Sequence, residues 1–224
     1  YMNIAILNYN IGNLASVQNA LEFVAHKSSK SLTISIESNP TNIAHYDKLI
    51  LPGVGAFGDA MQNLRTLGFE EDIKNFVKSG KYLLGICLGA QMLFEKSVEF
   101  GEHKGLSLLR GEVLGFDKAK LNTLKVPHIG WNECLLTQEG QNNPLLKNLF
   151  HTDSKISPKN EGLYLYFVHS FHAQCKDNSD ILAKCVYGYE FPAIVGRDNV
   201  LGIQPHPEKS HNVGLKILQN FIEL

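Results

Sequence analysis

An excess of charge of either sign is what this sequence most plainly lacks. Its 21 lysines and arginines are matched by 22 aspartates and glutamates, leaving a net charge of −1. No basic field therefore points to nucleic acid or to an anionic membrane surface. Long apolar runs are missing too, and none approaches the roughly 20 residues that a membrane-spanning helix requires. Cysteine is sparse: Cys87, Cys134, Cys175 and Cys185 fall at irregular spacing. That excludes a dense disulfide framework and fits a reduced compartment. No Cys-x-x-Cys pair and no His-Glu-x-x-His occurs, so neither a metal site nor another cofactor is expected. The opening residues Tyr1-Met2-Asn3-Ile4-Ala5 carry neither the basic lead nor the cleavage site of a secretory signal. The expectation is a cytoplasmic protein.

What is present is core. Hydrophobic residues make up 44% of the 224 positions and charged residues 19%, ordinary values for a folded globular chain. Asn3 to Leu7, Leu32 to Ile36, Lys48 to Leu51 and Tyr82 to Ile86 are short apolar runs suited to buried strands. Between them, Leu14, Val17, Leu21 and Val24 form a helical stripe, with Asn13 placed as its N-cap. Asp59 to Leu64 and Phe69 to Lys78 also read as helices, the second with Phe69, Ile73, Phe76 and Val77 on one face. Strands alternating with helices imply a parallel, doubly wound sheet. After Glu99 the pattern changes to hairpin-like strands at 113–116, 133–137, 163–168, 181–186, 193–195 and 200–203. These extend the sheet in antiparallel fashion or build a small layer beside it. The stretch from Gln138 to Gly162 is polar and reads as a surface excursion, and a helix from Ser210 closes the chain.

Chemistry concentrates in three places. The first is Gly85-Ile86-Cys87-Leu88-Gly89, between the end of a strand and a helix expected to run from Leu88 to Glu95. A nucleophile flanked by glycines two positions away on both sides is the pattern of a strand–turn–helix elbow. Such a turn leaves no room for side chains at the flanking positions and aims the thiol toward solvent. On these residues alone, a buried cysteine packed as a small hydrophobe is an equal reading. The second place is Gln204-Pro205-His206-Pro207-Glu208, where prolines stiffen the turn that carries an imidazole and a carboxylate. A thiol nucleophile needs a base and a group to orient that base, and Cys87, His206 and Glu208 supply the three types. The third is Pro52-Gly53-Val54-Gly55, a glycine-rich turn able to bring backbone N–H groups close to a ligand. By itself it reads first as an ordinary turn between a strand and a helix.

These three stretches, in this order on an α/β chain, resemble the class I (triad-type) glutamine amidotransferases. Lys125-Val126-Pro127-His128-Ile129-Gly130-Trp131-Asn132, Tyr166-Phe167-Val168-His169-Ser170, Gly12-Asn13 and Pro207-Glu208-Lys209-Ser210 narrow the resemblance. They are similar to the signatures of the HisH family, glutaminase subunits of imidazole glycerol phosphate synthase. The resemblance runs from residue 2 to the C-terminus and implies one glutaminase domain over residues 1–224. The fold it implies is flavodoxin-like, with a doubly wound, mainly parallel mixed sheet flanked by helices and an antiparallel extension in the second half.

By the same resemblance, Cys87 attacks the side-chain amide of L-glutamine, His206 relays protons and Glu208 orients the imidazole. Val54, Gly55 and Leu88 form the oxyanion site. Gly53, Gln91, Glu99, His169 and Ser170 bind substrate, although Gln91 and Glu99 read without it as an exposed helix face. Asn13, His128, Trp131, Asn132, Tyr166 and Lys209 match the face toward a TIM-barrel cyclase (HisF-like), the partner in a heterodimer that takes the ammonia into histidine biosynthesis. Trp131, the single tryptophan, reads in isolation as core. Pro205 departs from the aromatic usual at its position. A paralogue aminating a surface-polysaccharide sugar, a stand-alone cysteine hydrolase of γ-glutamyl substrates and a non-catalytic interaction or redox-sensing protein on the same fold are the alternatives.

Overall fold

A computed structural model describes residues 1–149 and 162–224. In chain order the first half contains β1 (Met2–Leu7), α1 (Leu14–His26), β2 (Leu32–Glu37), β3 (Lys48–Leu51), α2 (Phe57–Thr66), α3 (Phe69–Lys78), β4 (Tyr82–Ile86) and α4 (Leu88–Gln91). Then come the short strands β5 (Lys96–Ser97) and β6 (His103–Lys104), followed by β7 (Gly111–Gly115), β8 (His128–Leu136) and α5 (Gln138–Asn142). The chain finishes with β9 (Leu163–His169), β10 (Phe171–Cys175), β11 (Ile181–Tyr187), β12 (Tyr189–Arg197), β13 (Val200–Ile203) and α6 (His211–Glu223).

Nine strands form one sheet in the order β2-β1-β3-β4-β13-β12-β11-β8-β9. The first five are mutually parallel, and their order is that of the flavodoxin-like doubly wound sheets. The remaining pairs are antiparallel, the extension expected from the second half. Strands β10, β7, β5 and β6 make a separate small sheet.

The central strands are apolar on both faces because both faces are covered. Ile4 and Ile6 of β1 join a cluster with Val17, Leu21 and Val24 of α1 and with Ile217, Leu218, Phe221 and Ile222 of α6. Ala5 and Leu7 join the opposite cluster, with Phe57, Met61 and Leu64 of α2 and Phe69, Ile73 and Phe76 of α3. Each large aliphatic or aromatic side chain so buried contributes roughly 1.5–3 kcal/mol.

Several boundaries differ from expectation. Asn13 stands at the N-cap position of α1 as expected, but its backbone is left-handed at φ 70 and its side chain makes no capping bond. The helix after Cys87 ends at Gln91 rather than Glu95. The carbonyls of Met92, Leu93 and Glu95 are taken instead by the N–H groups of Leu106, of Leu108 and Leu109, and of Gly105. A Cβ on Gly105 would lie 2.1 Å from the Phe94 carbonyl oxygen, so only glycine lets that segment dock. Strand β8 begins five residues earlier than expected and takes in the whole His128–Asn132 motif, pairing His128 with His169 and Trp131 with Tyr166 on β9. Strand β12 runs through Pro192, which lies opposite Lys184 of β11 beside a break in register. The polar excursion is only partly described, since residues 150–161 lie outside the described residues. Its first part is not loose: Leu145 and Leu146 are buried, and Asn220 of α6 donates to the carbonyls of Leu145 and Lys147.

Candidate active site

The carboxyl ends of β3, β4 and β13 lie side by side, and each carries one of the three chemically suggestive stretches. Such ends are where open α/β sheets bind ligands. At the end of β4, Cys87 sits at φ 55 and ψ −114, outside the regions that side chains ordinarily tolerate. The flanking glycines are required by contact. A Cβ on Gly85 would lie 2.5 Å from the Gly89 carbonyl oxygen, and one on Gly89 would lie 1.9 Å from that of Leu51. Gly53 packs in turn against the Gly89 N–H, which its own Cβ would meet at 2.8 Å. The turn after β3 is thereby seated on the elbow.

The thiol does not project into open solvent. Cys87 is 7% exposed and opens onto a cavity of about 390 Å³. Its Sγ lies 3.9 Å from the Val168 carbonyl oxygen and 3.8 Å from Gln204 Nε2. The ring of His206 neighbours this thiol across the cavity and, through Nδ1, donates to Glu208 Oε1 at 2.7 Å. Both side chains are withdrawn from solvent. Burial pulls the imidazole toward its neutral form, but the neighbouring Cys87 and Glu208 outweigh that and raise its pKa to about 10. Glu208 Oε2 is buried without a partner among the described residues.

The turn that presents His206 is anchored on two sides. Gln204 N–H donates to Ala193 O and His206 N–H to Tyr166 O, both at 2.9 Å. Pro205, which has no N–H, occupies the one step where the chain changes partner from β12 to β9. The Ser210 hydroxyl donates to the His206 carbonyl and accepts from Tyr166 N–H.

Val54, Gly55, Leu88, Gln91, Glu99, His169, Ser170, His206 and Lys209 all line the cavity that holds Cys87. Gly53 is buried beneath the turn. Val54 and Gly55 lie at the mouth, Gly55 at φ +92. Neither Gln91 nor Glu99 is on an exposed helix face. Gln91 is buried and donates from Nε2 to the Phe171 carbonyl and to Gln204 Oε1, both at 3.0 Å. Glu99 lies in a turn after β5 and accepts from the Phe57 N–H at 3.2 Å, capping α2. Burial raises its carboxyl pKa above the ordinary value.

The residues grouped as a partner-facing surface separate. Trp131 is not core: it is 43% exposed and stacks on His211 at 4.8 Å, with Tyr166 at 5.8 Å. Asn132 donates to the Val186 carbonyl. Asn13 turns its Nδ2 toward Glu208 Oε1, 3.5 Å away, and Lys209 reaches the cavity. His128 is 1% exposed, so in this chain it has almost no surface to offer a partner. It lies behind the cavity wall, hydrogen-bonded to His169.

Three residues near the site escape a reading of the sequence. Gln204 touches both Cys87 and Gln91; its signal was its place one residue before the Pro-His-Pro turn. The Tyr9 hydroxyl donates to the Pro52 carbonyl under the Gly53 turn, and burial raises its pKa further. Ser210 stood in a quoted motif, but its bridge depends on the fold. The remaining cysteines are elsewhere: Cys134 and Cys185 face each other across β8 and β11, and Cys175 ends β10. A second concavity, of about 480 Å³ beside β10 and β12, has its charges paired, Lys184 with Glu190 at 2.8 Å and Lys120 with Asp117 at 3.6 Å. Among the described residues no helix is long and apolar enough to cross a membrane.

Residues 8–224 match the family model described as glutamine amidotransferase class-I. The chain is 54% identical over 222 residues to the imidazole glycerol phosphate synthase subunit HisH of Wolinella succinogenes, covering 99% of both. It is 51% identical over 227 residues to the subunit of the same name from Helicobacter hepaticus, covering 100% of this chain and 99% of that one. Among solved structures, a chain of PurLQS from Thermotoga maritima superposes with a TM-score of 0.72 at 22% identity, covering 99% of this chain and 98% of that one. That likeness bears on the fold alone.

Proposed function

We propose, from the premise that the chain belongs to the class-I glutamine amidotransferase family and within it to the HisH subunits of imidazole glycerol phosphate synthase, that it hydrolyses L-glutamine and delivers the ammonia to a cyclase partner. One observation supports the chemistry: Cys87 and His206, more than a hundred residues apart in sequence, line the same cavity, and the ring donates from Nδ1 to Glu208 behind it.

The sulfur of Cys87 attacks the side-chain amide carbon of glutamine, and the carbonyl oxygen takes up negative charge. Backbone N–H groups of Val54, Gly55 and Leu88, at the mouth and floor of the same cavity, are the donors for that oxygen; each such donor is typically worth 2.7–4 kcal/mol or about 10²–10³ in rate. His206 gives its proton to the departing nitrogen, which leaves as ammonia and a γ-glutamyl thioester. Water then attacks the thioester, His206 takes the proton from it, and glutamate leaves with the sulfur regenerated. Glu208 holds the ring by Nδ1 throughout. Glu99, Gln91, His169 and Ser170 hold the amino-acid end of the substrate, with Gly53 seating the turn.

Free ammonia in water near neutral pH is mostly protonated and not nucleophilic, so its release is useful only when it is coupled to a shielded route. Trp131 and Tyr166, with Asn132, Asn13 and Lys209 beside them, form the face for a TIM-barrel cyclase that uses the ammonia to make imidazole glycerol phosphate and AICAR. The partner's binding is coupled to glutaminase turnover. The chain works as a single domain over residues 1–224, in the cytoplasm, without a cofactor. Glutaminase activity measured with and without a cyclase subunit and its ligand tests this reading. Low activity alone that rises on adding the partner is the expected result; full activity in isolation contradicts a coupled subunit.

A further inference from the structure

Behind the cavity wall, His128 and His169 form a hydrogen-bonded pair whose polarity the surroundings dictate. His169 Nδ1 lies 2.8 Å from the Phe171 carbonyl oxygen. A carbonyl only accepts, so Nδ1 carries the hydrogen. Burial holds this ring neutral, with a pKa lowered to about 3, so its Nε2 is a bare acceptor. His128 Nδ1, 2.9 Å from that Nε2, must then be the donor. Burial also lowers the pKa of His128, and its Nε2 is left buried without a partner among the described residues. The ring of His128 cannot easily turn, because it is stacked between Phe167 at 4.8 Å and Tyr187 at 4.0 Å.

The pair continues into the site. The Phe171 carbonyl that receives the His169 hydrogen also receives Gln91 Nε2, which donates as well to Gln204 Oε1. Gln204 Nε2 ends the chain at Cys87 Sγ. Every link has one workable direction, fixed by the Phe171 carbonyl, and His128 closes the chain at the far end by holding the His169 ring in place. We propose that His128 is a positioning residue for glutamine binding: its Nδ1–H locks His169 in a single tautomer and orientation, which pins the Phe171 carbonyl and with it Gln91 on the cavity wall. A consequence is that, of the two imidazoles lining the cavity, His206 alone is free to move a proton. The proposal rests on the reading of this cavity as the glutamine site.

Two substitutions separate hydrogen bonding from packing. His128→Phe keeps a flat ring between Phe167 and Tyr187 but donates nothing. His128→Asn gives up the stack but places an amide N–H where Nδ1 stood, since both nitrogens are bonded to Cγ. With the full chain and its cyclase, His128→Phe is expected to raise the glutamine KM about tenfold with kcat changed by less than about threefold. His128→Asn is expected to stay within about threefold of the wild type in both constants. Nitrogen-15 NMR of His169 is expected to show the Nδ1–H tautomer in the wild type and in His128→Asn, and loss of that single form in His128→Phe. An unchanged His169 tautomer in His128→Phe overturns the proposal whether or not glutamine is hydrolysed. So does wild-type KM in His128→Phe with a defect confined to His128→Asn. A wild-type chain with no glutaminase activity beside its cyclase overturns instead the function on which the proposal rests.

Discussion

Cys87 combines a left-handed φ of 55 with a ψ of −114, a backbone state that costs about 1–3 kcal/mol and persists because its surroundings leave no alternative. Gly89 is the tightest of these constraints, so Gly89→Ala, whose Cβ would meet the Leu51 carbonyl oxygen at 1.9 Å, is expected to lower stability by about 3 kcal/mol or more, read as a fall in the denaturant midpoint. The imidazole of His206 gives a second residue-scale test. Its pKa is raised to about 10, above the ordinary value near 6.5, so protonated His206 favours the folded state. That contribution is complete below about pH 6.5 and is lost as pH rises through about 10. The unfolding free-energy difference between wild type and His206→Asn is therefore expected to be larger at pH 6 than at pH 10; a gap that widens with pH would contradict the pairing. Cys87, His206 and Glu208 were legible in the sequence as candidates because glycines bracket the cysteine and prolines bracket the histidine. The bond from His128 to His169 was not, since it exists only through the register of β8 with β9, and a motif match alone had put His128 on the partner face.

Among the elements, those with a regular pattern were readable: β1, β3, β4 and β13 as apolar runs, α1, α3 and α6 as stripes. Strand β9, expected at 163–168, was readable too, but other elements that serve the site were not. The first half of β8 sends His128 behind the cavity and Trp131 to the surface, with Gly130 between them, so no clean alternation remained to mark a strand. The shortness of α4 was invisible because the carbonyls just after it, of Met92, Leu93 and Glu95, are satisfied by a segment ten or more residues later. Helix α2 started two residues earlier than its own pattern indicated, and its first N–H is met by Glu99 from the turn after β5. Glu99→Ala is therefore expected to cost about 0.5–2 kcal/mol of stability and also to raise the glutamine KM. Thermal unfolding and steady-state kinetics check the two effects separately, and a change in stability alone would place Glu99 outside substrate binding.

At the scale of the whole molecule, the parallel half of the main sheet supplies the turns, and its antiparallel half together with β10 of the small sheet supplies the wall. Val54, Gly55 and Cys87 come from the ends of β3 and β4, whereas Val168, His169 and Phe171 come from β9 and β10. Neither half makes the cavity alone, which is why the antiparallel extension belongs to the chemistry. The stack of Trp131 on His211 lies on the outer side of β8 and β9, exposed and outside both apolar clusters. Trp131→Ala is accordingly expected to weaken cyclase binding by about 2 kcal/mol, roughly thirtyfold by titration calorimetry, while leaving the melting temperature within a few degrees. The central claim concerns the sulfur and the ring that meets it. The most direct measurement is rapid acid quenching of the chain and its cyclase during glutamine turnover, followed by peptide mass analysis. The peptide containing Cys87 is expected to gain one glutamyl unit; continued glutamine hydrolysis with that peptide unmodified at every time point would contradict the account.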